Sequence, residues 1–301
     1  MEFYSNGKLW VIGEYYVLEG AKVLAWPTKA GQYLRIYPLQ SPVLTWKSYD
    51  ADGSVWYNDD IQVEDILQKK TIPGHKIRNT LLTILYEAHL LNPSILSDTP
   101  GFLVETELTF PKNWGLGSSS TLINNIAQWF QVDAFELLEK SFGGSGFDIA
   151  CAQHNQAVTY QKKGATITVE EVDFYPDFKN DIYFIYLNQK KDSKEGIATF
   201  KKKKANLTTE IEEVSRLTNE LVKGVDYITF IARILDYELK LSKILEIPTV
   251  QESLFPDFEG TIKSLGAWGG DFIMAVSKDN PEDYFVSKGF TVVIPFRDMI
   301  L

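Results

Sequence analysis

The chain has 301 residues, 45% hydrophobic and 13% aromatic, a globular composition long enough for one large domain or two of ordinary size. A formal net charge of −10 excludes a general nucleic-acid binder, because phosphate backbones are held by Lys and Arg in local excess. One cysteine, Cys151, excludes an intramolecular disulfide, and three scattered histidines (His75, His89, His154) give no zinc-ligand spacing, so a reducing cytoplasm is the expected home. Glu2 stands where a signal peptide would be basic, and no run reaches the ~18 apolar residues that a membrane helix needs. A soluble, unprocessed intracellular protein with no membrane or nucleic-acid partner is expected.

Residues 3–20 read as two short strands about a turn at Ser5, Asn6 and Gly7, with Lys8 beside the turn as an ordinary solvated side chain. Strand character continues over 23–37, and 43–56 reads as a hairpin turning at Asp52-Gly53. Residues 77–91 have helical spacing and stop before Asn92-Pro93. The stretch 101–130 then reads strand, glycine loop, helix, the helix carrying Ile123, Ile126, Ala127 and Phe130 on one apolar face. Gly115 and Gly117 let the backbone approach a ligand, and Ser118, Ser119 and Ser120 offer hydroxyls where the first N–H groups of a helix point outward. Taken alone, this stretch is either a phosphate cradle or a serine-capped helix start. It fits neither the Walker nor the dinucleotide glycine pattern.

Residues 133–142 predict a short helix capped by Asp133 and ended by Gly143-Gly144. In the words that follow, GGSGFDIACAQ, Asp148 enters a small and apolar helix start, where a carboxylate is costly unless partnered. It is either a cap or a group aimed at a reacting hydroxyl. Residues 157–172 read as two strands about Lys163-Gly164, and a polar linker at 173–180 divides a domain of 1–176 from one of 177–301. The second domain opens on a strand at 181–187 and a loop at 188–195 bearing Lys190, Lys191 and Lys194. Helices are expected at 206–222 and 227–245, the latter with Ile228, Ile231, Leu235, Leu239 and Ser242 along one face. A short helix at 258–265, a glycine turn and strand at 266–275, a helix at 281–288 and a strand at 290–296 complete the chain.

Several of these segments resemble the motifs of the GHMP small-molecule kinases, in family order. Pro111, Gly115, Leu116, Gly117, Ser118 and Ser119 fit the second motif, P-x-x-x-G-L-G-S-S. Gly7, Lys8, Gly13, Glu14, Tyr15 and Gly20 look like the first, and Ser145, Gly146, Asp148 and Ala150 match the S-G-x-D-x-A segment of mevalonate kinase-like members. Lys263, Gly266, Ala267, Gly269 and Gly270 match the third, K-x-[ST]-G-A-G-x-G-G, with Leu265 in place of Ser or Thr and Trp268 in place of glycine.

The resemblance implies an α+β protein whose N-terminal ATP-binding domain has the ribosomal protein S5 domain 2-like fold and whose C-terminal domain is ferredoxin-like, with ATP between them. It implies ATP and Mg²⁺ as cofactors. Pro111 and residues 115–120 would hold the nucleotide, and a hydroxyl of Ser118 or Ser119 would ligate Mg²⁺; Glu136 and Glu139 are each either an ordinary surface-helix glutamate, the favoured reading, or the group that completes the metal site. Asp148 would orient or deprotonate the acceptor, and Lys8, close enough to pair with it, would stabilise charge. Glu14, Tyr15, Ser145, Gly146, Gly266, Ala267 and Gly269 would face a small-molecule substrate. Lys190 and Lys191 would serve a phosphorylated one. The wording is nearest the mevalonate and phosphomevalonate kinase branch of isoprenoid precursor synthesis. A sugar or amino-alcohol kinase and a non-catalytic nucleotide-binding protein of the same fold are the alternatives, and the presence of both Lys8 and Asp148 speaks against the latter.

Overall fold

A computed structural model describes residues 1–97, 101–189, 193–203, 207–266, 268 and 270–301. The fold is α+β. In chain order the strands are β1 (Glu2–Ile12), β2 (Val23–Leu39), β3 (Val43–Tyr49), β4 (Val55–Gln62), β5 (Gly101–Leu108), β6 (Val158–Lys163), β7 (Thr166–Glu171), β8 (Ile182–Tyr186), β9 (Thr261–Ser264), β10 (Phe272–Val276) and β11 (Val293–Pro295). Two compact units alternate along the sequence. One comprises Met1–Gly7, Ala30–Lys112 and Leu116–Gln153, the other Lys8–Lys29, Asn113–Gly115 and His154–Leu301.

In the first unit β3 runs antiparallel to β4 and parallel to β5, so that Leu44 faces Ile61 on one side and Phe102 on the other. β5 in turn pairs antiparallel with the second half of β2. Alternate residues of these strands, among them Leu34, Ile36, Trp46, Phe102 and Val104, face the core. The helices Lys76–Leu91, Ser118–Phe130 and Ala134–Ser141 complete that core with Leu81, Leu85, Ile126, Trp129 and Leu137. Asp133 caps the third of these helices, accepting from Glu136 N at 2.8 Å, as its sequence predicts.

In the second unit the start of β2 pairs with β6, and β6 with β7, all antiparallel. A separate antiparallel sheet runs β11-β8-β10-β9. Its core is Ile185, Phe255, Ile262, Ile273 and Phe285. The helix Tyr227–Leu245, capped by Asp226 on Thr229 N at 2.8 Å, packs on β9.

Four expectations are corrected. Ser5, Asn6 and Gly7 form no turn: they lie inside β1, where Ser5 Oγ donates to Asn125 Oδ1 at 2.7 Å and accepts from Asn124 Nδ2 at 2.8 Å. Helix side chains thus supply the partners that a turn would have provided, and Lys8, further along the strand, is buried rather than solvated. Residues 258–265 are not helical, because Thr261–Ser264 pairs with β10 (Ile262 opposite Ala275). The helix Tyr227–Leu245 buries Phe230, Ile234, Tyr237, Glu238, Leu241 and Leu245, while Ile228 is 71% exposed. Two apolar stripes compete on this helix, and the one bearing the aromatic rings packs. Finally, the last strand shrinks to Val293–Pro295 and is followed by a helical turn, Phe296–Met299.

Candidate active site

The glycine loop follows β5. Buried Phe110 and Leu116 anchor it, and between them Gly115 takes φ +68°. Gly117, at φ +89°, is the N-cap of the helix Ser118–Phe130 and gives it no side-chain cap. Its carbonyl accepts from Ser120 N and Thr121 N, both at 3.0 Å. Both glycines adopt the left-handed backbone that side chains resist, so the loop's path depends on them. Ser119 is exposed, Ser118 half-buried and Ser120 buried. The serine-cap reading of this start therefore gives way to a glycine cap with hydroxyls on the helix's first turn, an arrangement suited to an anion.

Asp148 lies in the first turn of the helix Phe147–Gln153. Gly146 precedes it at φ +84°, and Ser145 Oγ accepts from Phe147 N at 3.3 Å. This helix packs against Ser118–Phe130 within the first unit, tied by Gln153 Nε2 donating to Asn124 Oδ1 at 3.0 Å. The two helix starts are thus parts of one compact body. Half-buried Asp148 and the hydroxyls of Ser118 and Ser119 belong to it.

In the second unit, buried Lys8 sits with its Nζ 5.9 Å from the centroid of the Trp10 ring. The turn after β1 enters a buried polar cluster. Gly13, at φ +107°, donates its N–H to the Tyr237 hydroxyl at 3.1 Å, and that hydroxyl donates to Glu14 Oε2 at 2.8 Å. Lys263 Nζ donates to Glu14 Oε1 at 2.5 Å and to Ser264 O at 2.7 Å. Glu238 Oε2 accepts from Ser264 N at 3.0 Å, while its Oε1 stands 3.9 Å from Lys263 Nζ. Burial is the main cause that raises the Glu238 pKa to about 7, and burial likewise raises that of Tyr237. The Glu14 and Lys263 residues of the first and third motifs meet here. Sequence reasoning missed Tyr237 and Glu238, because it turned the other face of their helix inward.

Tyr15 stacks on Phe200, ring centroids 5.9 Å apart, and accepts from Trp268 N at 3.4 Å through its hydroxyl. Trp268 is itself buried, and its Nε1 donates to Pro248 O at 3.1 Å. Leu265, the other departure from the third motif, is buried, and its N–H donates to Phe272 O at 3.1 Å. Gly266 adopts φ +70° with open space around a would-be Cβ. Ala267, Gly269, Lys190 and Lys191 lie outside the described residues, as does the side chain of Lys194.

Glu136 and Glu139 are exposed on their helix, and Glu136 pairs with Lys140 at 3.6 Å. Among the described residues no group of three or more His, Cys, Asp and Glu could hold a metal ion. The donor set at the glycine loop instead suits Mg²⁺ arriving on a nucleotide, since that ion takes few protein ligands and keeps phosphate and water oxygens.

No family model matches the sequence, and no curated protein matches it. Solved structures do match over nearly the whole chain. Methanococcus jannaschii mevalonate kinase is 15% identical with a TM-score of 0.69, covering 96% of this chain and 94% of that one. Streptococcus pneumoniae phosphomevalonate kinase, solved with phosphomevalonate and AMPPNP, is 17% identical with a TM-score of 0.69, covering 97% and 99%. Lactococcus lactis galactokinase, solved with galactose, is 12% identical with a TM-score of 0.63, covering 95% and 88%. The chain has the two-domain fold of the GHMP kinases. No helix of the described residues is long and apolar enough to cross a membrane.

Proposed function

We propose that this protein is an ATP-dependent small-molecule kinase that transfers the γ-phosphoryl group to mevalonate or phosphomevalonate in the cytoplasm. The observation that carries the reading is the pair of left-handed glycines, Gly115 and Gly117, opening the helix Ser118–Phe130 without a side-chain cap. The GHMP kinase fold supports it, and so does the placing of Asp148 at the start of a helix packed on that one.

Phosphoryl transfer leaves little covalent work to a protein, so its residues act by positioning and by neutralising charge. Backbone N–H groups of 115–119 bind the nucleotide phosphates, and the dipole of a 13-residue helix favours the negative charge there. A hydroxyl of Ser118 or Ser119 would hold the Mg²⁺ borne by ATP, which would neutralise charge on the phosphate oxygens. Asp148 orients the acceptor hydroxyl and takes its proton as that oxygen bonds to the γ-phosphorus and the bond to the ADP oxygen breaks. Lys8 stabilises the developing negative charge. Tyr15, held by Phe200 and Trp268, shapes the substrate side.

The test is ATP consumption with Mg²⁺ against mevalonate, phosphomevalonate, homoserine and simple sugars. Turnover with one of the first two is the expected result, lost in Asp148→Asn where the acceptor is the mevalonate hydroxyl. Turnover with a sugar alone would move the protein to another branch of the same chemistry, and turnover with none, alongside tight ATP binding, would favour a binding protein.

A further inference from the structure

We propose that the cleft between the helices Thr208–Val222 and Tyr227–Leu245 binds an aliphatic primary amine, with Glu210 and Tyr16 as the groups that hold its ammonium. The inference is independent of the kinase reading, and every residue in it belongs to the second compact unit.

The cleft measures about 320 Å³, room for a small ligand. Its walls are tied to one another. Tyr16 opens the helical turn Tyr16–Glu19, and the helix Thr208–Val222 is fastened to the chain just beyond it: Lys22 N donates to Ser215 Oγ at 3.0 Å, and Thr218 Oγ1 donates to Lys22 O at 2.8 Å. Across the cleft, Arg233 Nε donates to Glu220 Oε1 and Lys240 Nζ to Glu213 Oε2, both at 2.9 Å, so both contacts span the two helices. Val214 and Leu217 supply an apolar wall.

Six of the seven charged side chains that line the cleft have an opposite partner. Arg233 pairs with Glu220, Lys240 serves both Glu213 and Asp236, and Arg216 stands 4.0 Å from Glu213. The seventh, Glu210, has none among the described residues, and its Oε2 is buried without a hydrogen-bond partner. Its place in the first turn of the helix Thr208–Val222 gives the carboxylate a favourable dipole, yet a dipole donates no hydrogen bond, and a buried carboxylate oxygen is costly to leave unpaired.

Tyr16 lines the same space. It is 1% exposed, its ring set edge-on to Phe200 with centroids 5.1 Å apart and tilted against Tyr237 at 6.0 Å. Burial, then the charges of Glu210, Glu213 and Glu14, raises its pKa, so the phenol stays neutral in a negative field. No hydrogen bond is among those causes, and the hydroxyl makes none among the described residues.

A carboxylate oxygen and a phenol oxygen thus line one cleft without a donor between them. An ammonium brings what both lack, since it carries three N–H donors and a positive charge on one nitrogen. Its alkyl chain then lies on Val214 and Leu217. A divalent metal ion fits less well, because one unpaired carboxylate supplies too little of the oxygen shell that such ions demand. An anion finds no free cation, for Arg216, Arg233 and Lys240 are already paired.

Calorimetric titration of the full chain with putrescine, a linear aliphatic diamine, tests the site without reference to turnover. Saturable binding is expected in the wild type. Glu210→Gln, which keeps the side-chain shape and removes the charge, should weaken it by about tenfold or more, and Tyr16→Phe by about threefold. Glu212→Gln, exposed on the same helix and outside the cleft, should leave it unchanged. Tetramethylammonium, which has the charge but no N–H, should bind at least about tenfold more weakly than putrescine. The absence of saturable putrescine binding overturns the proposal, and so does an unchanged affinity in Glu210→Gln shown by circular dichroism to be folded. Should Glu210→Gln fail to fold, unchanged affinity in Tyr16→Phe has the same force. An equal loss in Glu212→Gln, or equal binding of tetramethylammonium, would replace the site with diffuse charge attraction.

Discussion

Lys263 Nζ lies 2.5 Å from Glu14 Oε1 across 249 positions of sequence, with side-chain exposures of 1% and 5%. One buried ammonium serves two buried carboxylates, since Glu238 Oε1 is 3.9 Å from the same nitrogen. The pair joins the turn after β1 to β9, and so ties the first GHMP-like motif to the third.

Removing the cation should therefore be costly. Lys263→Met leaves Glu14 and Glu238 buried without their counter-charge and is expected to destabilise the fold by about 3–5 kcal/mol, measured by urea unfolding. Adding Glu14→Gln to that variant should recover part of the loss, because the two residues act on one another. A Lys263→Met protein as stable as the wild type would mean that both carboxylates are protonated or hydrated without it.

Glu238 gives stability a pH dependence whose sign is fixed. Its pKa rises from 4.5 to about 7 on folding, chiefly by burial, with the Lys263 ammonium opposing the rise and the Glu14 carboxylate adding to it. The folded state thus holds a proton that the unfolded state has released, and stability falls as pH climbs from about 4.5 to about 7, then levels. Glu238→Gln cannot titrate. The melting temperature of Glu238→Gln relative to wild type should therefore rise by a few degrees between pH 5 and pH 8. A difference that does not vary with pH would remove Glu238 as the titrating group.

What could be read from the sequence was what local chemistry decides. The Asp133 cap, the turn at Asp52-Gly53 joining β3 to β4, and the helix Lys76–Leu91 ending at Asn92-Pro93 all follow from neighbouring residues. Ser5 defeated the same reasoning, since its partners Asn124 and Asn125 lie on a distant helix and overrule the turn preference of Ser5-Asn6-Gly7. Helix periodicity could not choose between the Ile228 and Phe230 stripes, which only tertiary packing separates. The glycine loop was legible as a pattern. That Gly115 must lack a Cβ because Asp271 approaches it was not, for 156 positions (271 − 115) separate the two.

Gly13 offers a steric prediction. At φ +107° its added Cβ would lie 2.2 Å from Val23 Cγ1 and 2.5 Å from Val23 Cβ, while its own N–H holds the Tyr237 hydroxyl. Gly13→Ala combines backbone strain with overpacking and is expected to cost about 2–4 kcal/mol, lowering the melting temperature by several degrees. Val23→Ala in the same chain removes Cγ1 but keeps the Cβ at 2.5 Å, so it should return only part of the loss, because that contact and the positive φ remain. Full recovery in the double variant would show that strain contributes nothing.

Asp148 separates the two proposed acceptors. A hydroxyl must lose its proton as it attacks, and a positioned base is worth about 10²–10⁴ in rate, so Asp148→Asn should lower kcat with mevalonate by that factor. A phosphate monoester, with its second pKa near about 6, arrives at pH 8 already ionised and needs no base. With phosphomevalonate the same substitution should therefore cost far less, and in either case AMPPNP affinity should change little. The ratio of the two losses reads the role of Asp148 directly: a large loss confined to the hydroxyl acceptor marks a base, and equal losses mark a residue that only positions the substrate. Undiminished turnover with mevalonate would take Asp148 out of the mechanism, and the helix start that carries it would then be architecture alone.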